Sequence, residues 1–253
     1  MIPKVIHYCW FGRNPLPSLA IKCIESWKKF LPDYEIVEWN EDNFDVNMIP
    51  YTKEAYEAKK YAFVSDYARF WILYHHGGIY FDTDVEVIKN MDDIIARGAF
   101  MGCEKITKRN KPLVAPGLGL GVSPKSVFYK DILDLYASLH FKNLDGSLNL
   151  KTVVLYISEL LWEKGLKTVN DVELCAGIFV YSDEYFSPKC YKTGNIYITD
   201  KTVSIHHYDA SWKSSNEKIK KYLSNILGDK LTLYIVNLKR KLKKKQLISN
   251  NYI

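Results

Sequence analysis

Two aspartates, Asp82 and Asp84, close the segment Gly77-Gly78-Ile79-Tyr80-Phe81-Asp82-Thr83-Asp84. In extended backbone, side chains two residues apart point to the same side, so both acids project together. Phe81, one residue earlier, points the other way, into a core. Two hard carboxylate oxygens at a strand end suit Mg²⁺ or Mn²⁺, which take a few carboxylates along with water and phosphate oxygens. An Asp-x-Asp also occurs as a plain polar turn. Its setting gives this pair weight, because a strongly apolar helix, a Gly pair and a short buried strand lead directly into it.

A second group lies upstream in Ala62-Phe63-Val64-Ser65-Asp66-Tyr67-Ala68-Arg69. Asp66 and Arg69 are three apart and therefore neighbours on one helical face. On a surface such a pair is worth less than about 1 kcal/mol. Here Phe63, Val64, Phe70, Trp71, Ile72 and Leu73 crowd the same helix, so the two charges are expected to be paired inside the protein or to face a cleft. The third group is Ile205-His206-His207-Tyr208-Asp209-Ala210-Ser211-Trp212. Neutral imidazole is a ligand for Mn²⁺ and similar metals. Adjacent residues of a strand face opposite sides, so one histidine at most serves a metal.

These groups need a scaffold. Val5–Cys9 reads as a buried strand, and Ser18 as the cap of a helix reaching Phe30 with Leu19, Cys23, Ile24 and Trp27 on one face. Tyr34–Trp39 reads as a second strand. Tyr51–Tyr74 has helical spacing with a break at Lys59–Lys60, and Ile79–Phe81 and Val85–Ile88 are strands on either side of the Asp-Thr-Asp turn. Phe100–Glu104, Leu118–Ser123, Ile178–Tyr181 and Val203–His207 read as further strands, and Ser126–Leu139 and Leu150–Trp162 as helices. Alternating strands and helices in the first half predict a mainly parallel sheet covered by helices on both faces.

Bulk properties narrow the classes. At 253 residues the chain is expected to form one large domain, or one domain with an appendage. Its five cysteines (Cys9, Cys23, Cys103, Cys175, Cys190) are scattered without a Cys-x-x-Cys pair. That argues against a disulfide framework or zinc site and for a reducing compartment. With neither a leader-like segment nor an apolar run near the roughly 20 residues that span a bilayer, the expectation is a cytoplasmic protein. The formal charge of +6 is concentrated: Lys213–Lys245 holds 11 Lys or Arg against Glu217 and Asp229, a balance of +9, whereas residues 1–212 carry −3. In that tail Leu231, Tyr234, Ile235, Leu238 and Leu242 fall at helical spacing. It reads either as a solvated terminal helix or as an amphipathic anchor on an anionic membrane at the inner face of the plasma membrane. Nothing accompanies the lysines that would recognise nucleic acid.

Four segments, Ile-Pro-Lys-Val-Ile-His-Tyr-Cys-Trp-Phe-Gly at the start, Ser-Asp-Tyr-Ala-Arg, Gly-Gly-Ile-Tyr-Phe-Asp-Thr-Asp and His-His-Tyr-Asp-Ala-Ser-Trp, occur in that order. Together they resemble the family 32 glycosyltransferases, a group that includes bacterial capsular-polysaccharide transferases and yeast initiation-type mannosyltransferases and shares a core with clostridial glucosylating toxins. The resemblance covers roughly residues 1–212. It implies a GT-A fold, a Rossmann-like α/β/α sandwich, with a nucleotide-sugar half (1–104) and an acceptor half (105–212), followed by the basic extension (213–253). It implies Trp10 beside the nucleobase, Asp66 and Arg69 on the donor sugar, Tyr80 close to the donor, and Asp82 and Asp84 at the metal. It implies His207 as a further metal ligand, and Ser211 and Trp212 near the diphosphate. The expected activity is retaining transfer of a hexose from a nucleotide-sugar, UDP-hexose favoured, to a saccharide acceptor that a lipid can carry, with Mn²⁺ or Mg²⁺. Two rivals share the acidic site: a metal-dependent hydrolase and a non-catalytic carbohydrate-binding protein. An oxidoreductase is disfavoured because Gly117-Leu-Gly-Leu-Gly does not complete the dinucleotide pattern.

Overall fold

The computed structural model describes residues 1–104, 111–190 and 194–209. Met1–Cys190 and Asn195–Tyr208 make one compact unit, and the account below concerns it. Ser211, Trp212 and the basic tail lie outside the described residues.

The first strand, β1 (Val5–Cys9), is almost wholly buried. A turn rich in Gly and Pro leads to α1 (Ser18–Phe30), where Ala20, Cys23, Ile24 and Trp27 form the buried stripe. Ser18 is the first helical residue and does not cap the helix; Pro17 holds the cap position in extended backbone and no side chain caps the end. Strand β2 (Glu35–Trp39) follows. The helical stretch after it divides into α2 (Pro50–Glu57) and α3 (Tyr61–His76). The break falls at the two lysines, with Lys59 in left-handed backbone at φ 56°, a conformation that ends a helix. Strands β3 (Gly78–Tyr80) and β4 (Val85–Val87) flank the acidic turn, and α4 (Asp92–Arg97) leads to β5 (Phe100–Glu104). Short β6 (Leu113–Val114) and β7 (Leu120–Val122) precede α5 (Val127–Ala137) and α6 (Val153–Glu163). The unit finishes with β8 (Val172–Cys175), β9 (Ile178–Tyr181), α7 (Asp183–Phe186) and β10 (Ser204–His206).

The main sheet runs β2-β1-β3-β7-β5-β9-β8, with β6 paired to β5. β1 lies parallel to β2 and β3, and β5 parallel to β9. β7 is antiparallel to both β3 and β5, so β2, β1, β3, β5 and β9 share one direction. The expected mainly parallel α/β/α sandwich therefore forms, with β7 inserted against the common direction at its middle. One hydrophobic core joins α2, α3, α5 and α6 to one face; a second joins α1, α4 and α7 to the other. β4 and β10 form a separate antiparallel pair. Among the described residues, no helix is long and apolar enough to cross a membrane.

Two glycines bring the apolar helix α3 into the sheet. Gly77 and Gly78 have φ of 67° and 100°, which side-chain-bearing residues rarely adopt. A Cβ on Gly78 would stand 2.6 Å from the Val5 carbonyl oxygen and 3.0 Å from His7 Nε2. His7 closes this junction from β1. Its Nε2 donates to the Gly77 carbonyl at 3.0 Å, while its Nδ1 accepts from Trp39 Nε1 at 3.0 Å. Both bonds require the neutral ring protonated on Nε2.

Burial lowers the His7 pKa to about 4 from 6.5, with the Gly77 hydrogen bond opposing and His76 adding repulsion. Because the folded-state value is depressed, the unfolded chain takes up the proton first as pH falls. Stability is then lost progressively from about pH 6.5 down to about pH 4, on the order of 3 kcal/mol from this group. Denaturant midpoints measured across that interval should fall for the native chain, and the slope should flatten in His7→Gln.

Candidate active site

The C-terminal ends of β1 and β3 lie side by side, and they collect the residues with chemistry. Arg69, on the buried face of α3, is only 3% exposed. Its Nε donates to the Ser65 carbonyl at 3.1 Å and its Nη2 to Asp66 Oδ1 at 2.9 Å. The same Nη2 lies 3.2 Å from Asp82 Oδ1, beyond the end of β3. Tyr80 supports the guanidinium with its ring, 4.9 Å from ring centroid to Cζ, and donates its hydroxyl to Asp82 Oδ1 at 3.2 Å. Of the two readings left open for Asp66 and Arg69, the structure shows the first, an ion pair inside the protein. The charges are paired, and they border the acidic turn.

An isolated buried ion would cost several kcal/mol, so each of these charges depends on the others. Burial disfavours the Arg69 charge, but Asp82, Tyr80 and Asp66 outweigh it and hold the guanidinium protonated. Burial pushes the Asp66 carboxyl upward; Arg69 opposes this and Asp82 adds to it. The Asp82 carboxyl also lies above its ordinary range, through burial and through repulsion from Asp84 that Arg69 and His206 only partly offset. Three carboxyl groups, Asp66, Asp82 and Asp84, thus converge on one guanidinium and one imidazole.

Asp82, Asp84 and His206 present ligand atoms within 4.8 Å of one another. The sequence reading had put His207 in this group, and the geometry replaces it with its neighbour. β10 pairs antiparallel with β4, His206 opposite Val85, so His206 turns towards Asp84 with Nε2 3.0 Å from Oδ1. His207 turns the other way, its Nε2 2.8 Å from Glu86 Oε2. The trio fits a divalent cation on its own terms, since it combines two carboxylates with an imidazole. The Nδ1 of His206 is moreover buried and has no hydrogen-bond partner among the described residues.

The glycine run plays a part its sequence pattern did not disclose. Gly117 lies against Asp82: its carbonyl accepts from the Asp82 amide at 3.2 Å, and a Cβ there would stand 2.1 Å from Asp82 Oδ2. At Gly119 a Cβ would meet the Phe81 ring at 2.9 Å, and at Gly121 the Phe100 ring at 2.3 Å. The alternate glycines leave room for the aspartate and for the rings beneath it. Trp10, just beyond β1, is partly exposed and donates Nε1 to the Asn14 carbonyl at 2.6 Å, with its backbone amide on Trp39.

With this geometry in place, comparison with known proteins is informative. The family described as the glycosyltransferase sugar-binding region containing the DXD motif matches residues 17–101. Residues 17–101 are therefore similar to the sugar-binding region of the DXD-motif glycosyltransferases. A glycosyltransferase of Acanthamoeba polyphaga mimivirus, itself uncharacterized, is 37% identical over 112 residues, covering 42% of this chain and 45% of that protein. Inositol phosphoceramide mannosyltransferase 1 of Schizosaccharomyces pombe is 27% identical over 150 residues, covering 55% of this chain and 42% of the relative. This chain thus spans less than half the length of either. Among solved structures the PaToxG glycosyltransferase is similar at 20% identity and a TM-score of 0.48, over 65% of this chain and 70% of that one.

The matched segment contains Asp66, Arg69, Tyr80, Asp82 and Asp84. Trp10 precedes it, and His206 reaches the acids from 122 residues beyond Asp84. Sequence reasoning weighed Gly117 only against a dinucleotide pattern and passed over Glu86. The repeated glycines at 117, 119 and 121 were the signal for the first, since a run of missing side chains marks a close approach, although only Gly121 lies in a strand and Gly117 sits in the short 3-10 turn Pro116–Leu118. Replacing Gly117 by Ala should push the Asp82 carboxylate off Arg69 and Tyr80. Mn²⁺ titration should then show affinity reduced by about tenfold, with the circular dichroism spectrum unchanged.

Proposed function

We propose that this chain is a metal-dependent glycosyltransferase of GT-A type that moves a hexose from a nucleotide-sugar to a saccharide acceptor. The observation that carries the reading is the convergence of Asp82, Asp84 and His206 beside the buried Asp66–Arg69–Asp82 network. In this reading residues 1–104 serve the donor and residues 105–212 the acceptor, while 213–253 form an extension. Trp10 stacks on the base, and Ser211 and Trp212 approach the diphosphate.

A divalent cation held by Asp82, Asp84 and His206 supplies Lewis-acid neutralisation of the charge that builds on the departing diphosphate. The remaining work falls to side chains. Asp66 accepts hydrogen bonds from donor-sugar hydroxyls, and Arg69 offers its planar donors to the sugar or phosphate while fixing Asp82. Tyr80 closes the floor and keeps water from the guanidinium. The anomeric configuration is retained by front-face attack: the acceptor oxygen bonds to the anomeric carbon as the bond to the diphosphate breaks, and the leaving phosphate oxygen takes the acceptor's proton.

The relatives' names supply a second clue. Several are inositol phosphoceramide mannosyltransferases or mannosyl phosphorylinositol ceramide synthases, which place a sugar on a lipid-borne acceptor. A lipid-linked saccharide, such as a capsular or other surface-polysaccharide intermediate, and a basic tail resting on the anionic inner leaflet belong to the same proposal.

The test is a panel of UDP-hexoses and GDP-mannose incubated with the protein, with and without Mn²⁺, followed by hydrolysis and binding. One donor should be turned over only with metal, and Asp84→Ala should lower turnover by at least about a hundredfold. Binding of a saccharide with no donor turnover would favour a carbohydrate-binding protein. Metal-dependent cleavage of phosphodiesters without sugar transfer would favour a hydrolase.

A further inference from the structure

Outside the proposed ligand set, one charged cluster touches both the turn that bears the acids and the strand that bears the imidazole. Glu86, in the middle of β4, is the residue between Val85 and Val87, whose side chains are buried. Its carboxylate accepts from Lys22 Nζ of α1 at 3.0 Å and from His207 Nε2 at 2.8 Å. His207 is held at two further atoms. Its backbone amide donates to the Asp84 carbonyl at 2.9 Å, and its carbonyl accepts from Lys189 Nζ at 2.8 Å. The other edge of β4 is bound to α1, where Trp27 Nε1 donates to the Val85 carbonyl at 2.7 Å and Ser26 Oγ accepts from the Val87 amide at 2.9 Å.

These contacts bear on which histidine faces the acids. Consecutive strand residues alternate sides, so a one-residue slip of β10 against β4 would exchange His206 for His207. Backbone ladder bonds alone tolerate such slips in short strands, and β10 has three residues. A carboxylate that captures the imidazole on the outer side opposes the exchange. It is a charge-assisted contact that only the observed register makes.

We infer that Glu86 is a positioning residue: by holding His207 from outside, it sets the register of β10 and thereby presents His206 to Asp82 and Asp84. The inference rests on the metal-site reading above, and it concerns residues that do not themselves touch the cation. Partners of this kind, which orient a ligand without binding the metal, typically change affinity by 10- to 100-fold.

The experiment measures Mn²⁺ affinity of the full chain by electron paramagnetic resonance in the absence of any donor, together with long-range ¹H–¹⁵N spectra of the imidazoles in metal-free protein. Glu86→Ala should weaken Mn²⁺ by about tenfold or more and move the imidazole signals of both His206 and His207. Glu86→Gln, which can still accept from His207 Nε2, should stay within about threefold of the native chain. His206→Ala should abolish tight binding, whereas His207→Ala should only weaken it. The double variant Glu86→Ala/His207→Ala should be no worse than either single one, since both remove the same contact. Native affinity in Glu86→Ala, alongside tight binding by the native chain, would overturn the positioning role alone. Tight binding lost in His207→Ala but kept in His206→Ala would reverse the assignment. If the native chain takes up no Mn²⁺ at all, both the inference and the metal site beneath it fall.

Discussion

The buried guanidinium of Arg69 is the contact on which the site's geometry depends. One nitrogen lies near Asp66 of its own helix and near Asp82 beyond the neighbouring strand, which ties the helix to the acidic turn through charge. Such a group is costly to bury alone and costly to strip of a partner, about 3–5 kcal/mol when a buried pair is broken. The arrangement therefore behaves as a unit. Tyr80 packs against the guanidinium, Gly117 yields space to the carboxylate, and the Ser65 carbonyl accepts from Nε. In the proposed reading, Asp82 of this unit is also one of the groups that would hold the cation.

The rest of the scaffold serves that placement. Two cores, one on each face of the sheet, hold α3 and α1 at fixed heights relative to β1 and β3. The neutral imidazole of His7, in the middle of β1, joins that strand to the turn after α3 and to the last residue of β2. β4 leaves the main sheet immediately after the acids and pairs with β10. In this way a segment more than a hundred residues later in the chain completes the site.

Much of this was legible in the sequence. Val5–Cys9 was read to its observed limits, and the first helix to within one residue at its start, because apolar periodicity and Pro and Gly punctuation agree there. The break at Lys59–Lys60 showed as a lapse in an otherwise helical pattern. The short elements α4, β8 and α7 escaped notice: four to six residues hold too few periods to register, and β8 is an edge strand with Glu173 and Leu174 exposed. Local spacing brought together Asp66 with Arg69, and Asp82 with Asp84. It could say that only one of two adjacent histidines faces inward, but not which, since that depends on pairing between β10 and β4 across about 120 residues. Gly117 was set aside for failing one phosphate-binding pattern, when its missing side chain makes room for an acid.

The glycine comb has a consequence for how this protein can vary. Gly117, Gly119 and Gly121 face Asp82, Phe81 and Phe100 in turn, so the segment works as a ruler whose gaps must meet their counterparts one for one. Inserting or deleting a single residue between 117 and 121 would set a side chain against the acid and a gap against a ring. Changes of length in this neighbourhood would have to fall outside the ruler, for instance in the chain that leaves β7. Lineages that diverge in loop length there would keep the same acid while reshaping whatever borders it.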